Sequence, residues 1–407
     1  MQISLIFGLF PDNIYNEIIK NSKGVIQYAA DALQKSFLEG LGTIDSNITL
    51  INLPYIGSYP FLYKKIFSPK SVINYKTQYG SIVYGQNVGF LNFIGLKNIF
   101  RYRLVKKKLL HWIKQSEDPE KVVIVYAMHT PFLQACVDVK LHQAPDLKIV
   151  LIVPDLPEFM SDSKSTLYNI LKNADIERLH KLCFNVDGFV LLSKHMSDRL
   201  PIEQKPFTIV EGIFNNVHDD VSVLHNSSEK YILYTGTLAK RYGVMNLVKA
   251  FHSIDIKNVY LYICGAGDSQ DDIIAYTKVD HRIKYKGQLP RKDILLLQKN
   301  AFLLVNPRTP EGEFTKYSFP SKTMEYLASG TPTLIYALPG IPKEYFDYCF
   351  TVEKTGVENL AFKLKSILEM DEVYLRKLGL SARNFVLREK TPIPQCKKVI
   401  QLINSLY

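Results

Sequence analysis

The stretch "AFLLVNPRTPEGEFTKYSFPSKTMEYLASGTPTLIYA", residues 301–337, decides the fold. The run "AFLLVNP" (301–307) is apolar, of strand length, and closed by Asn and Pro. A polar loop follows, and "FPSKTMEYLASGTP" is then punctuated as a short helix. Pro320 suits the first helical turn, where a missing N–H costs nothing, and Gly330 and Pro332 end the helix. The run "TLIYA" (333–337) is again strand-like. Apolar strands joined through a helix are the unit of a parallel sheet covered by helices.

The same alternation extends in both directions. Strands are expected at 2–7, 48–53, 122–127, 148–153 and 188–193, then at 231–236, 259–265 and 283–287. Helix-like runs lie between them, such as "GVIQYAADALQKSFLEGL" (24–41), with apolar residues at three-and-four spacing. The pattern predicts an α/β protein with two Rossmann-like domains, 1–210 and 228–388. The boundary falls in "EGIFNNVHDDVSVLHNSSEK" (211–230), which is polar and aperiodic. In such sheets ligands bind beyond the carboxyl ends of the strands. The loops after "YILYTG", "YLYICG" and "AFLLVNP" are therefore the places to look for chemistry.

With 407 residues and 47% hydrophobic content, the chain is long enough for two ordinary cores. No apolar run approaches the roughly 20 residues that span a bilayer. The opening "MQISLIFGLFPDN" has no basic leader and reads as a first strand. Five scattered cysteines without a C-x-x-C pair point to a reducing compartment and no structural zinc. The net charge of +11 is concentrated: residues 46–116 contain no Asp or Glu and hold eleven Lys and Arg. That segment is suited to a polyanionic surface.

Three constellations carry candidate chemistry. At Pro320, Ser321 and Lys322 a helix start presents free N–H groups and a full positive charge, which favours a phosphate. Glu325 shares the face of Ser321, roughly 6 Å along the axis, where a carboxylate can accept both hydroxyls of a ribose. The plain alternative is a carboxylate complementing the helix dipole beside a solvated Lys322. In "YTGTLAKRYGVMNLVKAF" (234–251), a glycine turn at Gly236 and Thr237 with Lys240 and Arg241 suits a pyrophosphate, or is an ordinary β–α connection. In "YICGAGDSQDD" (262–272), Gly265 begins a G-x-G that lacks the third glycine, because Gln270 stands there. It fails as a dinucleotide fingerprint, and a glycine-lined loop beside a base remains. No Asp-x-Asp pair is present, so no metal is expected.

The ordered set "TGTL…RYG", "ICGAG", "IKYKGQLPRKDI", "LLVNPR" and "FPSKTMEYLASGTP" resembles the retaining GT-B-fold glycosyltransferases of the group that includes capsule and exopolysaccharide sugar transferases, family 4-like. The resemblance covers about 228–388 strongly and 1–210 through "SKGVIQYAADAL", "VVIVYAMHTPF", "VLIVPDLPEF" and "VDGFVLLS". It implies two Rossmann-like domains with parallel sheets facing across a cleft, an N-terminal acceptor domain and a C-terminal nucleotide-sugar domain. A terminal helix, 390–407, would cross back onto the first domain. It implies a nucleotide-diphosphate sugar as donor, UDP-sugar first, and retention of configuration. The leaving phosphate would accept the acceptor's proton. Glu325 takes the second position of the family's Glu-x7-Glu pair, implying ribose binding. The first position is Tyr317, so Glu311 or Glu313 supplies that acid or sugar recognition differs. Thr237 and Tyr242 replace family Arg and Lys, leaving Arg241 and Lys322 as the cations for the diphosphate. Gly24 resembles the glycine turn that approaches the phosphates. His129 resembles the histidine that contacts the donor sugar, and a structural His is the alternative. Asp155 is an acceptor-side candidate.

The stretch 91–114, "LNFIGLKNIFRYRLVKKKLLHWIK", interleaves apolar residues including Trp112 with seven cations. It reads as an anionic-membrane surface in preference to a nucleic-acid site, or as a solvated basic helix with core residues. The expected setting is cytoplasmic, peripheral on the inner face of a bacterial plasma membrane, with a lipid-linked saccharide acceptor. Two rivals stand beside this reading: a silent GT-B partner of another transferase, and a sugar-nucleotide epimerase.

Overall fold

A computed structural model describes residues 1–159, 166–202, 204–215 and 229–407. It divides into two compact units: residues 1–213 with 391–407, and residues 214–390. The strands are β1 (Gln2–Phe7), β2 (Ile48–Asn52), β3 (Ser71–Lys76), β4 (Ile82–Asn87), β5 (Lys121–Tyr126), β6 (Lys148–Val153), β7 (Gly188–Leu191) and β8 (Phe207–Ile209) in unit 1. Unit 2 holds β9 (Lys230–Thr235), β10 (Val259–Cys264), β11 (Ile283–Gly287), β12 (Leu303–Asn306), β13 (Thr333–Tyr336) and β14 (Phe350–Val352). The helices in chain order are α1 (Tyr15–Asn21), α2 (Tyr28–Ile44), α3 (Lys97–Gln115), α4 (Thr130–His142), α5 (Thr166–Cys183), α6 (Val244–His252), α7 (Gln270–Val279), α8 (Arg291–Asn300), α9 (Ser321–Ser329), α10 (Val357–Leu368), α11 (Glu372–Glu389) and α12 (Pro392–Asn404).

Unit 1 is one sheet in the order β3-β4-β2-β1-β5-β6-β7-β8. Every neighbouring pair is parallel except the β3–β4 hairpin. Ile3, Leu5, Leu50, Ile124 and Val150 pack on one face against Phe37, Leu38 and Leu41 of α2 and Cys396 and Val399 of α12. Gly40 permits that helix contact, since a Cβ there would lie 2.3 Å from the Pro392 carbonyl oxygen. The terminal helix thus belongs to unit 1, and it begins at Pro392 rather than at 390, because Lys390 is held in unit 2 by Glu344.

Unit 2 has the order β11-β10-β9-β12-β13-β14, all parallel. The chain runs outward from β9 to β11, then restarts on the other side with β12. The switch point lies between β9 and β12, where α/β sheets bind ligands.

Several expectations need correction. The helix expected over 24–41 begins at Tyr28, because residues 23–27 bend and turn without helical hydrogen bonds. The stretch 91–114 is helical only from Lys97, and its Val105, Leu109 and Trp112 are buried. The periodicity was real, and it serves the core. Strands β3, β4, β8 and β14 were not expected. In β3 and β4 one face is solvated, as with Val72 and Tyr84, so no apolar run marks them. Of the boundary segment 211–230, residues 216–228 lie outside the described residues, including the expected start of the second domain. All five cysteines are free and buried. Among the described residues no helix is long and apolar enough to cross a membrane.

Candidate active site

Parallel strands β9 and β10 end side by side on two glycine turns. Gly236 has φ 150° and its N–H donates to the Cys264 carbonyl at 3.0 Å. Gly265 has φ 139°, and a Cβ there would lie 1.8 Å from the Gly236 carbonyl oxygen. Both conformations disfavour side chains, and the contact excludes one at Gly265. The turns open a pocket of about 500 Å³ lined by Thr237, Ala266, Gln288, Leu289, Ile294 and Lys322 with the glycines themselves. Leu289 and Ile294 form an apolar wall, and Lys322 supplies a cation from the first turn of α9. Gln288, Leu289 and Ile294 went unassigned in the sequence, although "IKYKGQLPRKDI" contains them.

Helix α9 starts after Pro320 and stops at Gly330, whose φ is 83°. The N–H groups of Ser321 and Lys322 have no intrahelical acceptor at that start. Glu325, one turn on, is a hub. Its Oε1 accepts from Gln298 Nε2 at 2.6 Å and Lys322 Nζ at 2.8 Å, and its Oε2 faces Arg291 at 3.4 Å. Burial alone would raise its pKa. The charge of Lys322, the hydrogen bonds from Gln298 and Lys322, and the charge of Arg291 outweigh burial and hold it below the ordinary carboxylate value. Gln298 is fully buried, and its amide also donates to Thr235 Oγ1 at 3.0 Å. The buried Tyr326 hydroxyl accepts from the Thr235 N–H at 2.8 Å. The α9 start is thereby tied to the end of β9. Glu325 and Ser321 flank the pocket through Lys322 and are not in its wall.

The loops after β9 and β12 meet at Gly243, with φ 74°, where a Cβ would lie 2.3 Å from the Pro307 carbonyl oxygen. Arg241 is exposed, its guanidinium 5.2 Å from the Tyr242 ring. Arg308 stacks on that same ring at 5.4 Å and on Phe314 at 4.8 Å, and donates to Ser318 Oγ at 3.0 Å. Burial first, and then Arg241, lower the Arg308 pKa against the opposing effect of Tyr242. Sequence reading missed Arg308, whose signal was the "NPR" closing β12. Tyr317 is buried and its hydroxyl donates to Glu313 Oε1 at 3.3 Å. Glu311 instead accepts from Thr309 at 3.3 Å. An acid therefore does stand beside Tyr317, and it is Glu313.

Residues 218–384 match the family model described as glycosyl transferases group 1. Unit 2 is a group 1 glycosyltransferase domain. The solved structures similar to the whole chain have the GT-B fold. Sucrose-phosphate synthase from Thermosynechococcus elongatus is 14% identical with a TM-score of 0.62, covering 100% of this chain and 99% of its own. HepE from Anabaena, solved in complex with UDP, is 13% identical with a TM-score of 0.61 over 100% of both chains. The lipopolysaccharide outer core galactosyltransferase WaaB, in its apo form, is 13% identical with a TM-score of 0.60 over 100% of both. No curated protein matches the chain in sequence.

The remaining candidates lie in unit 1. Gly24 is exposed at a bend in the non-helical segment before α2, with the Leu62 side chain beside it. His129 caps the start of α4 just past β5, its ring 4.3 Å from Phe132 and 5.3 Å from Tyr55. Its Nε2 lies 3.2 Å from the Arg101 guanidinium. Asp155 follows β6 in an exposed turn. Among the described residues no group of three or more His, Cys, Asp or Glu side chains is placed to hold a metal ion.

Proposed function

We propose that this glycosyltransferase moves a sugar from a nucleoside diphosphate sugar, UDP-sugar first, to a saccharide or lipid-linked saccharide of a bacterial surface polysaccharide. The observation that carries the reading is the meeting of the Gly236 and Gly265 turns with Lys322 in one pocket, with Glu325 immediately behind. Backbone N–H groups, the α9 start and Lys322 suit a diphosphate, the wall of Leu289 and Ile294 suits a base, and Glu325 suits the ribose hydroxyls. A carboxylate offers about four lone-pair sites, and the three existing contacts leave room for a ribose hydroxyl. The UDP bound to HepE supports UDP as the first nucleotide to try.

In the proposed reaction the bond between the anomeric carbon and the leaving phosphate oxygen breaks. The new glycosidic bond forms on the same face, and the acceptor hydroxyl's proton passes to that phosphate oxygen. Negative charge grows on the diphosphate, and Lys322, Arg241 and Arg308 are the side-chain cations around it. Glu313, held by Tyr317, supplies the acid near the sugar. That pairing favours an active enzyme over a silent partner. The acceptor and the inner face of the plasma membrane remain part of the same proposal, supported by the acid-free segment 46–116.

Calorimetric binding of a nucleotide-sugar panel, followed by release of free nucleotide with and without acceptor, tests the reading. UDP-sugars should bind, turnover should need an acceptor, and Glu325→Ala and Lys322→Ala should each weaken binding at least about tenfold. Activity should also survive EDTA. Absence of binding to every donor would overturn the proposal, and sugar epimerisation without acceptor would favour the epimerase. Loss in EDTA restored by added Mn²⁺ would overturn the metal-independent part alone.

A further inference from the structure

The helix layer on one face of unit 1 stops short of the sheet's edge. Helix α3 packs against β1 and β2, and strands β4 and β3 continue the sheet beyond β2. Side chains alternate across a strand, so Thr49, Tyr84 and Gln86 share the face opposite Leu50 and Val83, which belong to the core under α2. The register sets Tyr84 beside Thr49 and Gln86 beside Ile51. Tyr84 is 62% exposed, and Val72, next to Gln86 on β3, is 68% exposed. The sheet is thus the floor of an open shelf, and the last turns of α3 are its wall.

A cavity of about 310 Å³ fills the corner, within the range of ligand pockets, about 300–1,000 Å³. Its floor includes Thr49, Ile51, Tyr84 and Gln86, and its wall Lys108, His111, Trp112 and Gln115. Trp112 is 6% exposed, and its indole Nε1 is buried without an acceptor. An indole nitrogen can only donate, and a buried donor left unpaired costs about 1–3 kcal/mol. No Asp or Glu is among the residues lining the cavity. Lys108 has no ion-pair partner among the described residues. All of these residues lie in unit 1, and none belongs to the nucleotide pocket of unit 2.

The missing partner is an acceptor that meets one lysine in a setting of amides and hydroxyls. A strongly acidic peptide calls for several cations, and of the lining only Lys108 and His111 can carry positive charge. A bilayer would strip water from Thr49, Gln86 and Gln115 without replacing it. A sugar ring offers a flat C–H face to the exposed Tyr84 ring and hydroxyls to the amides. A carboxylate on that ring would accept from the Trp112 indole and the Lys108 ammonium. We propose that this shelf is a saccharide-binding site outside the nucleotide pocket, holding an acidic sugar unit of the uronate kind in a chain that lies along the open sheet face. It rests on the proposed function only for the choice of a sugar chain, and not on the donor.

Trp112 is the only tryptophan of the chain, so nitrogen-15 labelling of the indole gives one signal, and that signal belongs to the cavity. The full chain is titrated with oligogalacturonate and oligoglucuronate. A neutral glucan oligomer, polyglutamate and anionic-lipid vesicles serve as comparisons. A uronate oligomer should move the indole proton downfield and saturate, with the comparisons at least tenfold weaker. Lys108→Met should weaken uronate binding about 10- to 100-fold, the loss of a charge-assisted hydrogen bond. Tyr84→Ala should weaken it several-fold. No shift with either uronate, an equal response to any comparison, or wild-type affinity in Lys108→Met would each overturn the proposal. UDP binding, measured by calorimetry, should be the same in both variants as in the wild type. Its absence from all three would sink the donor reading and leave the shelf standing.

Discussion

Glu325 gathers the polar contacts at the start of α9 in one carboxylate. It accepts from Gln298 and Lys322 and faces Arg291, and these outweigh burial to keep it ionised. The sign follows from the lowered pKa: its stabilising contribution is complete above the unfolded value, near pH 4.3, and fades as pH falls through the lower folded value. Glu325→Gln should therefore lower the melting temperature at pH 7 and have a shrinking effect toward pH 3, read by thermal melts across that range. At pH 7 it should also weaken UDP binding by about 10- to 100-fold in calorimetry, the loss expected for a charge-assisted hydrogen bond. Arg308 makes a separate prediction. Replacing it with Met keeps the stack between Tyr242 and Phe314 and removes the charge. Turnover should drop about 100-fold with little change in melting temperature, measured by nucleotide release. The two residues differ in legibility. Glu325 could be found by its spacing from a helix start. Arg308 is marked in the sequence only by the "NPR" closing β12, because Tyr242, which makes its environment, comes from a different loop.

At the scale of elements, the Pro320 start and Gly330 stop of α9 were written in the sequence, because these residues act through their own backbone. The parallel strands of both sheets other than β4, β8 and β14 were legible for a related reason: strands buried in a sheet's interior are continuous apolar runs. Half-solvated β3 and β4 carry no such run, and α3 shows the converse. Its apolar stripe was visible, but whether it faces a core or a lipid is decided by β1 and β2, against which it packs. The Gly236 and Gly265 turns were also visible, while the reason Gly265 must be glycine is its approach to the Gly236 carbonyl. Gly265→Ala forces a Cβ against the Gly236 carbonyl. It should cost about 1–3 kcal/mol by overpacking and strain, lower the melting temperature, and abolish nucleotide binding even where the protein still folds.

On the whole molecule, the basic charge of residues 46–116 meets an apolar surface that sequence reading placed too far along the chain. Phe61, Leu62, Ile66 and Phe67, and Phe93, Ile94, Leu96 and Ile99, are exposed before and at the start of α3. Bridges Tyr59–Phe93 and Phe67–Leu91 sew these segments together, and Ser22–Tyr63 joins the segment holding Val25, which is 91% exposed. Phe61 is 69% and Phe67 63% exposed, with Lys64 and Lys65 between them. Large apolar side chains beside lysines suit an anionic bilayer interface. Replacing Phe61, Phe67 and Ile94 together with Ser should weaken sedimentation with vesicles containing anionic lipid on the order of 100-fold, each burial contributing about 1.5–3 kcal/mol at most. Soluble-acceptor turnover should be unchanged. Vesicle binding that survives the triple change would remove the membrane from the proposal.

Unit 2 begins at Phe214 and ends at Lys390, and the Phe214 N–H donates to the Lys390 carbonyl at 2.7 Å. The ends of the insert are therefore in contact, while α12 lies beyond it and completes unit 1. On the ribosome this sets an order of events. Unit 2 has every strand it needs before α12 is made, whereas Phe37, Leu38 and Leu41 of α2 keep an uncovered face until Cys396 and Val399 emerge. The half of the protein that is synthesised first is the half that finishes folding last, and a stalled nascent chain would offer that open face to a chaperone.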